Sequence, residues 1–299
     1  MAAQLDLSIV VSTRNRANYL LQTLNYYERI RTEATWELVI VDNGSSDETP
    51  EFLRNFCAVT RIPVRHLYEP RLGACRGRNH GWQHATGRVI AFTDDDCYPQ
   101  ADFVDAVLAN FGPTAVGYLG GRILLFDPLD HPITIQPNEG RLVFPPRTFI
   151  SAGVIHGANI AVRKEVMMAL GGFDESIGAG TRFPCEDLDL LTRASFAGFT
   201  GVYDPRPVVL HHHRRQSPEQ IQALERYYDH GRGAYYAKAL LTPKQRGKAA
   251  GIWSRSTCKR MINAFRKPPE ALITFRELQG AIDYWGVRFH ARIGGRVEE

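Results

Sequence analysis

Three consecutive carboxylates, Asp94, Asp95 and Asp96, follow directly on the apolar run Val89–Phe92 and its Thr93. Adjacent acids repel one another, and the arrangement makes chemical sense where a hard divalent cation offsets them. Carboxylate oxygens suit Mg²⁺ or Mn²⁺, and such cations are commonly held by one or two carboxylates together with substrate phosphates. An acidic turn is the plain alternative, because Asp tolerates turn backbone angles. Further residues able to do chemistry lie in the polar stretches Ser12–Arg16, Asp42–Thr49 and Gly73–Gly81, in the acid pair Glu186-Asp187 and in the run His211–His213. Arg78 offers the planar donor fork that suits phosphate. Glu186 and Asp187 are either a proton-transfer pair or helix-start acids stabilised by the macrodipole.

These residues need elements to hold them. Each of the polar stretches that begin at Ser12, Asp42 and Asp94 follows a short apolar, β-branched run: Leu7–Val11, Trp36–Val41 and Val89–Phe92. The stretch Gly73–Gly81 comes after Val64–Tyr68, and helical patterns begin near Asn18, Pro50 and Ala74. Strand and helix therefore alternate, which predicts a parallel sheet with right-handed crossovers. In such a sheet the loops gather at the carboxyl ends of the strands, where ligands bind. Beyond it we expect a helix over Ala101–Phe111, a long strand over Ala115–Phe126 and a proline-rich loop covering the site over Asp127–Arg147. A strand over Ile155–Val162, helices over Lys164–Leu170 and Glu186–Ala197, and an apolar segment Val208–Leu210 follow.

The chain has 299 residues, 44% of them hydrophobic, a normal globular balance. Its net charge of +4 hides a segregation: residues 211–299 carry 17 Lys+Arg against 8 Asp+Glu, so residues 1–210 carry the remaining 19 against 24. An acidic body with a basic tail places any attraction to anionic surfaces in the tail. After Ser217 the pattern turns helical, and over 248–267 apolar residues recur at three and four while Arg255, Lys259, Arg260, Arg266 and Lys267 occupy the other face. That is a basic amphipathic helix, whose expected partner is a membrane surface and not a nucleic acid. A surface helix packed on the body, with a solvated charged face, is the alternative. The five cysteines form no Cys-x-x-Cys pair, and no stretch approaches a membrane span. Both features point to a reduced, cytoplasmic protein, and the basic helix to one peripheral at the inner face of a membrane.

Seven segments occur in order: Ser8-Ile-Val-Val-Ser-Thr-Arg-Asn-Arg16, Val39-Ile-Val-Asp-Asn-Gly-Ser-Ser-Asp-Glu-Thr49, Gly73-Ala-Cys-Arg-Gly-Arg-Asn-His-Gly81, Phe92-Thr-Asp-Asp-Asp96, Gly157-Ala-Asn-Ile-Ala-Val-Arg163, Gly171-Gly-Phe-Asp-Glu175 and Glu186-Asp-Leu-Asp-Leu190. Together they resemble the family 2 glycosyltransferases. The resemblance implies an α/β fold of GT-A type, a nucleotide-binding fold with a mainly parallel central sheet flanked by helices, over 1–213, followed by a basic, mainly helical C-terminal extension over 214–299.

The resemblance also implies roles. Thr13, Arg14 and Asn15 would lie near the ribose and base, with Asp42 accepting a pyrimidine imide N–H, which favours uracil. Read from the residues alone, Asp42 could equally cap the following turn. Arg78 and Asn79 would lie near the diphosphate or sugar, and Asp94 would face the ribose or sugar. Asp96 would bind Mn²⁺ or Mg²⁺, with Asp95 as a second candidate and His211 completing the metal's ligands. In the pair Glu186-Asp187, Asp187 would be the general base of an inverting transfer. Asn159, Gly172, Phe173 and Asp174 would shape the donor and acceptor pocket. Asp189 and Arg193, four apart on one helix, read instead as an ion pair.

A Gln-x-x-Arg-Trp motif, found in processive members, is absent. The expected activity is the transfer of one sugar from a nucleotide diphosphate donor, UDP-linked, to a hydroxyl of a glycan or lipid-linked acceptor, as in polysaccharide or cell-surface glycan synthesis. The alternatives are a nucleotidyltransferase that makes an activated sugar, and a catalytically silent module that binds a sugar nucleotide or a membrane surface. The first would need a glycine-rich phosphate loop after the first strand, and Ser12–Arg16 has no glycine.

Overall fold

A computed structural model describes residues 4–112, 116–264 and 269–294. The chain divides into two compact units, Met1–Glu175 with Glu186–Gln216, and Ser176–Cys185 with Ser217–Glu299.

In the first unit β1 (Leu7–Thr13), α1 (Ala17–Tyr27), β2 (Trp36–Asp42), α2 (Thr49–Val59), β3 (Val64–Tyr68), α3 (Ala74–His84) and β4 (Val89–Asp94) alternate as the periodicity predicts. They build a parallel half-sheet in the order β3-β2-β1-β4. Strands covered on both faces read as continuous apolar runs, and Ile9, Leu38, Val89 and Phe92 are fully buried. The register sets Thr13 beside Asp42 and Ser12 beside Asp94, so the polar ends of three strands share one edge. Helix α3 lies tightly over this half. A Cβ at Gly77 would overlap Ser12 Oγ, and one at Gly81 would overlap Val10 Cγ1, so the i, i+4 glycine pair lets α3 approach β1 and brings Arg78 to the same edge.

The sheet continues through β5 (Cys97–Pro99), β6 (Val116–Leu125), β7 (Leu142–Phe144), β8 (Asn159–Arg163) and β9 (Thr200–His211), with α4 (Phe103–Leu108), α5 (Lys164–Leu170) and α6 (Glu186–Phe196) between them. Its order from β4 is β8-β6-β9-β5, with β7 paired to β9. Strand β8 runs antiparallel to both its neighbours. Three differences from the sequence reading have physical causes. Strand β5 is three residues long and too short to show a period. Strand β9 begins at Thr200, ahead of Val208–Leu210, because Asp204 and Arg206 break the apolar pattern while pairing with each other at 2.7 Å. The segment 127–147, expected as a bare loop, contains β7 and a bridge from Gln136 to Ile123, and the Gln136 amide donates to Gly153 O and Val154 O.

The second unit holds α7 (Pro218–Leu241), α8 (Arg246–Ala264) and α9 (Pro269–Gly294). Helix α7 starts with a capping box between Ser217 and Gln220 and a proline in its first turn. Helices α7 and α9 touch backbone to backbone: a Cβ at Gly233 would overlap Glu277 O, and one at Gly280 would overlap His230 O. Ile177, Phe183, Ala234, Ala237, Ala281 and Tyr284 form the core. The amphipathic reading of 248–267 is corrected in part. Trp253 stacks on Tyr236 at 5.3 Å and donates its indole N–H to Glu277, so part of the apolar side of α8 is turned inward. Arg260, expected on a solvated face, also bonds Glu277. Met261 and Ile262 remain exposed, and 265–267 lie outside the described residues. No described helix is long and apolar enough to cross a membrane.

Candidate functional site

The three acids after β4 part company. Asp94 turns toward α3 and accepts a hydrogen bond from Arg78 Nη2 at 2.8 Å. Asp95 is 8% exposed and accepts from Thr13 Oγ1 at 2.6 Å. Asp96, equally buried, faces His211, with Oδ1 3.4 Å from Nε2. Arg16 stands over the latter two, 3.4 Å from Asp95 and 3.6 Å from Asp96. Burial and the neighbouring carboxylates push Asp95 up to about 7, against Arg16 and Thr13. Burial also acts on Asp96, but the hydrogen bond and charge of His211, with Arg16, outweigh it and hold this carboxyl below its usual range. The sequence reading passed over Arg16 as a site residue. Its signal was position alone, two residues beyond Arg14.

Pairing of β5 with β9 sets Cys97 level with His211, and ligand atoms of Asp96, Cys97 and His211 lie within 4.8 Å of one another. His211 Nδ1 lies 3.3 Å from both Thr134 Oγ1 and Thr134 O, which fixes the ring so that Nε2 meets Asp96. Burial disfavours the imidazolium of His211, yet Asp96 outweighs it and raises the pKa. Burial drives the Cys97 thiol well above its ordinary value and keeps it protonated, a poor ligand for a hard cation. The other two histidines of the run serve structure: His213 Nε2 lies 3.0 Å from His131 O, and His212 packs against Phe126 at 4.9 Å. His156 is a neighbour of His211 that sequence reading missed. Burial and the charge of His211 bring its pKa down to about 4, so it is neutral.

A second cluster begins at α3. Arg78 is 6% exposed, bonded to Asp94 and, through Nη1, to Glu186 Oε1 at 2.7 Å, and its guanidinium lies 5.7 Å from the Phe173 ring centroid. Desolvation works against the charge, but the two carboxylates reverse the effect and raise its pKa. The chain Asp94–Arg78–Glu186 therefore ties the end of β4 to the start of α6. Next to it, Asp187 accepts hydrogen bonds from the backbone N–H of Gly157 at 2.7 Å and of Leu188 at 2.8 Å. Burial, then the charge of Glu186, raises Asp187 to about 7 despite those two donors and Arg78. Cys185, immediately before the pair, takes a φ of 118°, so the chain enters α6 through a strained backbone.

At the other end of the edge, Asp42 is fully buried. Its Oδ1 caps the turn by accepting from Ser45 N at 2.9 Å, and its Oδ2 has no hydrogen-bond partner among the described residues. Both readings of this residue thus have an oxygen to themselves. Asn15, at a φ of 53°, joins the first two loops by accepting from Ser46 N and by giving its own N–H to Ser45 Oγ. Arg14 is exposed beside it.

The expected pocket residues are spent largely on architecture. Asn159 donates to Arg122 O and Pro207 O and is 2% exposed, so its amide staples the sheet. Asn79 donates to Phe173 O and Glu175 Oε1 and accepts from Trp82 Nε1 and Phe173 N. Gly172, at a φ of 85°, gives its carbonyl to Arg193, which also pairs with Asp189 at 2.8 Å as the spacing predicts. Phe173 is buried edge-on against Phe92 at 5.0 Å, and Asp174 is half-buried beside it.

Among curated proteins, the chain is 26% identical over 224 residues to a pre-mycofactocin glycosyltransferase of Mycobacterium tuberculosis, covering 72% of this chain and 44% of that one. It is 23% identical over 194 residues to glycosyltransferase AglE of Haloferax volcanii, covering 64% and 62%. The chain thus spans less than half the length of the mycobacterial relative. Among solved structures, a mannosyltransferase of Pyrobaculum calidifontis in complex with GDP-Man and Mn²⁺ matches with a TM-score of 0.64 at 18% identity, covering 95% of this chain and 88% of that one. S. aureus TarS 1-349 in complex with UDP-GlcNAc matches with a TM-score of 0.61 at 15% identity, covering 82% and 69%. These two likenesses establish the fold, which is of GT-A type. Residues 8–171, more than half of the sequence, match the family model for glycosyl transferase family 2, and the chain belongs to that family.

Proposed function

We propose that this chain is an inverting, non-processive glycosyltransferase that moves one sugar from a nucleotide diphosphate donor, UDP-linked, to a hydroxyl of a glycan or lipid-linked acceptor. The observation that carries the reading is the chain Asp94–Arg78–Glu186, centred on the buried Arg78, which joins the edge suited to a nucleotide to the acid pair suited to proton transfer.

Asp42 Oδ2 is a buried acceptor without a partner, an expensive arrangement unless a ligand donor meets it. The N3–H of uracil supplies one. Guanine N1–H would also do so, whereas N3 of cytosine accepts and cannot. Asp96 and His211 fit a divalent cation, since one carboxylate oxygen and one imidazole nitrogen suit Mn²⁺ at least as well as Mg²⁺. When bound, such a cation offsets the negative charge that builds on the leaving diphosphate. Arg16 holds Asp95 and Asp96 together in the meantime.

In the transfer, the acceptor oxygen attacks the anomeric carbon as the bond to the diphosphate oxygen breaks. The hydroxyl proton passes to Asp187, and the configuration inverts. A carboxylate with a pKa raised to about 7 is a stronger base than an ordinary one and is still ionised above neutrality. The Gly157 and Leu188 N–H groups hold it in place, and Arg78 pairs with Glu186 beside it. The basic C-terminal helices give a lipid-linked acceptor a surface of opposite charge to approach.

The test is release of nucleoside diphosphate from UDP- and GDP-sugars, in the presence of glycan and prenyl-phosphate acceptors, by wild type and by Asp187→Asn. Release should fall by about 10²- to 10⁴-fold in the variant while nucleotide binding persists, and the product should carry the inverted anomer. A retained anomer, or undiminished release by the variant, would remove Asp187 from its role.

A further inference from the structure

Helix α9 has two adjoining faces, one buried and one exposed and apolar. Thr274, Glu277, Ala281 and Tyr284 lie on its buried side. On the other, Phe275, Leu278, Ile282, Trp285 and Phe289 recur at three and four residues and are 65%, 47%, 64%, 39% and 62% exposed. At about 100° per residue these five fall within an arc of roughly 80°. No charged residue between 269 and 290 falls in that arc. Single exposed apolar side chains are ordinary, but a continuous stripe of five large ones marks a surface that something covers.

We propose that this stripe of α9 docks the protein on an anionic lipid surface, with lipid phosphates meeting the arginines of the adjoining α7–α9 groove. The inference deepens the membrane approach in the reading above and rests on it. The groove has a volume of about 560 Å³ and is lined by Arg226, Tyr227 and His230 of α7 and by Leu272, Phe275 and Arg276 of α9, with Gln279 at its margin. Phe275 belongs to both groove and stripe, so phosphate-binding groups and acyl-facing groups are continuous. Arg226 is exposed and bonds Gln222, and Arg276 is anchored on the buried Asp229 at 3.1 Å, which leaves guanidinium donors for phosphate oxygens.

Charge decides between a lipid surface and a second copy of the chain. Residues 246–299 carry 11 Lys+Arg against 5 Asp+Glu. Two such faces repel each other, whereas anionic headgroups are drawn to a basic rim. An aromatic and aliphatic stripe bordered by Arg is also the composition of a helix that lies in the plane of a membrane interface. No described helix of this unit is long and apolar enough to cross a membrane.

The experiment is flotation of the full chain with vesicles of phosphatidylcholine alone or with added phosphatidylglycerol, without any nucleotide. Three proteins are compared: wild type, the triple variant Phe275→Ser/Ile282→Ser/Phe289→Ser, and Arg226→Glu. Wild type should bind the anionic vesicles at least about 10-fold better than the neutral ones. The triple variant should lose about 10-fold or more of that binding with its thermal midpoint kept, and Arg226→Glu about 5-fold. As a check that leaves the stripe apolar, Trp285 fluorescence should shift to the blue on adding anionic vesicles, a change missing from Trp285→Phe. Equal binding by wild type and triple variant, with no change in Trp285 emission, would overturn the assignment to α9 and leave the membrane approach standing. Failure of wild type to bind either vesicle would overturn both. A lipid-independent wild-type dimer that the triple variant makes monomeric would show that a second copy covers the stripe, and would overturn the proposal.

Discussion

The two compact units both bury acids and treat them in opposite ways. In the helical unit Glu277, 1% exposed, meets Arg232, Arg260 and the Trp253 indole, while Asp229 meets Arg232 and Arg276. At the sheet edge Asp95 and Asp96 lie side by side and share Arg16, Asp42 keeps an oxygen without a partner, and Asp187 stands next to Glu186. Buried charge that is fully paired holds helices together, and removing one partner is costly. Buried charge that is crowded or under-paired raises the free energy of the fold unless something arrives to meet it. The contrast separates architecture from function without reference to any relative.

Substitutions should expose that contrast. The largest effect is expected at Asp187: replacement by Asn should cut turnover by about 10²- to 10⁴-fold, read as nucleoside diphosphate release, with little change in stability. Next comes Glu277→Gln, which leaves Arg232 and Arg260 buried against a neutral group and should cost about 3 kcal/mol in denaturant unfolding. Asp95→Asn, the same loss of one charge at the sheet edge, removes a carboxylate that burial and its neighbours disfavour, relieves repulsion on Asp96, and should stay within about 1 kcal/mol of wild type. Equal costs at the two sites would erase the distinction.

A third effect is in pH. Because burial and Glu186 raise Asp187 to about 7, the base is protonated and idle in acid, so turnover should climb with pH and level off above about 7. The same raised pKa makes the folded state bind its proton more tightly than the unfolded chain does. Its contribution to stability is therefore greatest below the unfolded value near 4 and declines as pH rises toward 7, and Asp187→Asn should flatten that decline. The smallest effect is at Asp42. In Asp42→Asn the side-chain oxygen can still cap Ser45 N while a donor replaces the unpartnered oxygen, so UDP affinity should drop about 10-fold and preference should move toward CDP, measured by calorimetry.

Much of the fold was legible because it is local. The bounds expected for β3 and α5 match the structure residue for residue, and α3 starts at Ala74 as expected, since an apolar run, a polar loop and a helical period lie within a few residues of each other. The strand-end acids and the Asp189–Arg193 pair were legible for the same reason. What stayed hidden depends on contacts between distant residues. Thr134 orients His211 from 77 residues away, and the Asn79 amide is occupied by Phe173 and Glu175 on a loop about as far along the chain. Helix α8 shows an amphipathic period, but only Tyr236 and Glu277 reveal that Trp253 faces inward. The direction of β8 was likewise beyond a periodicity that records burial and not polarity.

The central claim is that the under-paired acids of the sheet edge hold a nucleotide diphosphate together with a cation. It is tested most directly by the thermal midpoint of wild type and of Asp96→Ala with UDP, GDP, CDP and dTDP and their sugar conjugates, with and without Mn²⁺. A ligand that binds only the folded state raises the midpoint by mass action. A rise with UDP and its conjugates that needs Mn²⁺ and disappears in Asp96→Ala is the expected result. No rise with any nucleotide, or an equal and metal-independent rise in the variant, would contradict the claim and return the three carboxylates to an acidic turn.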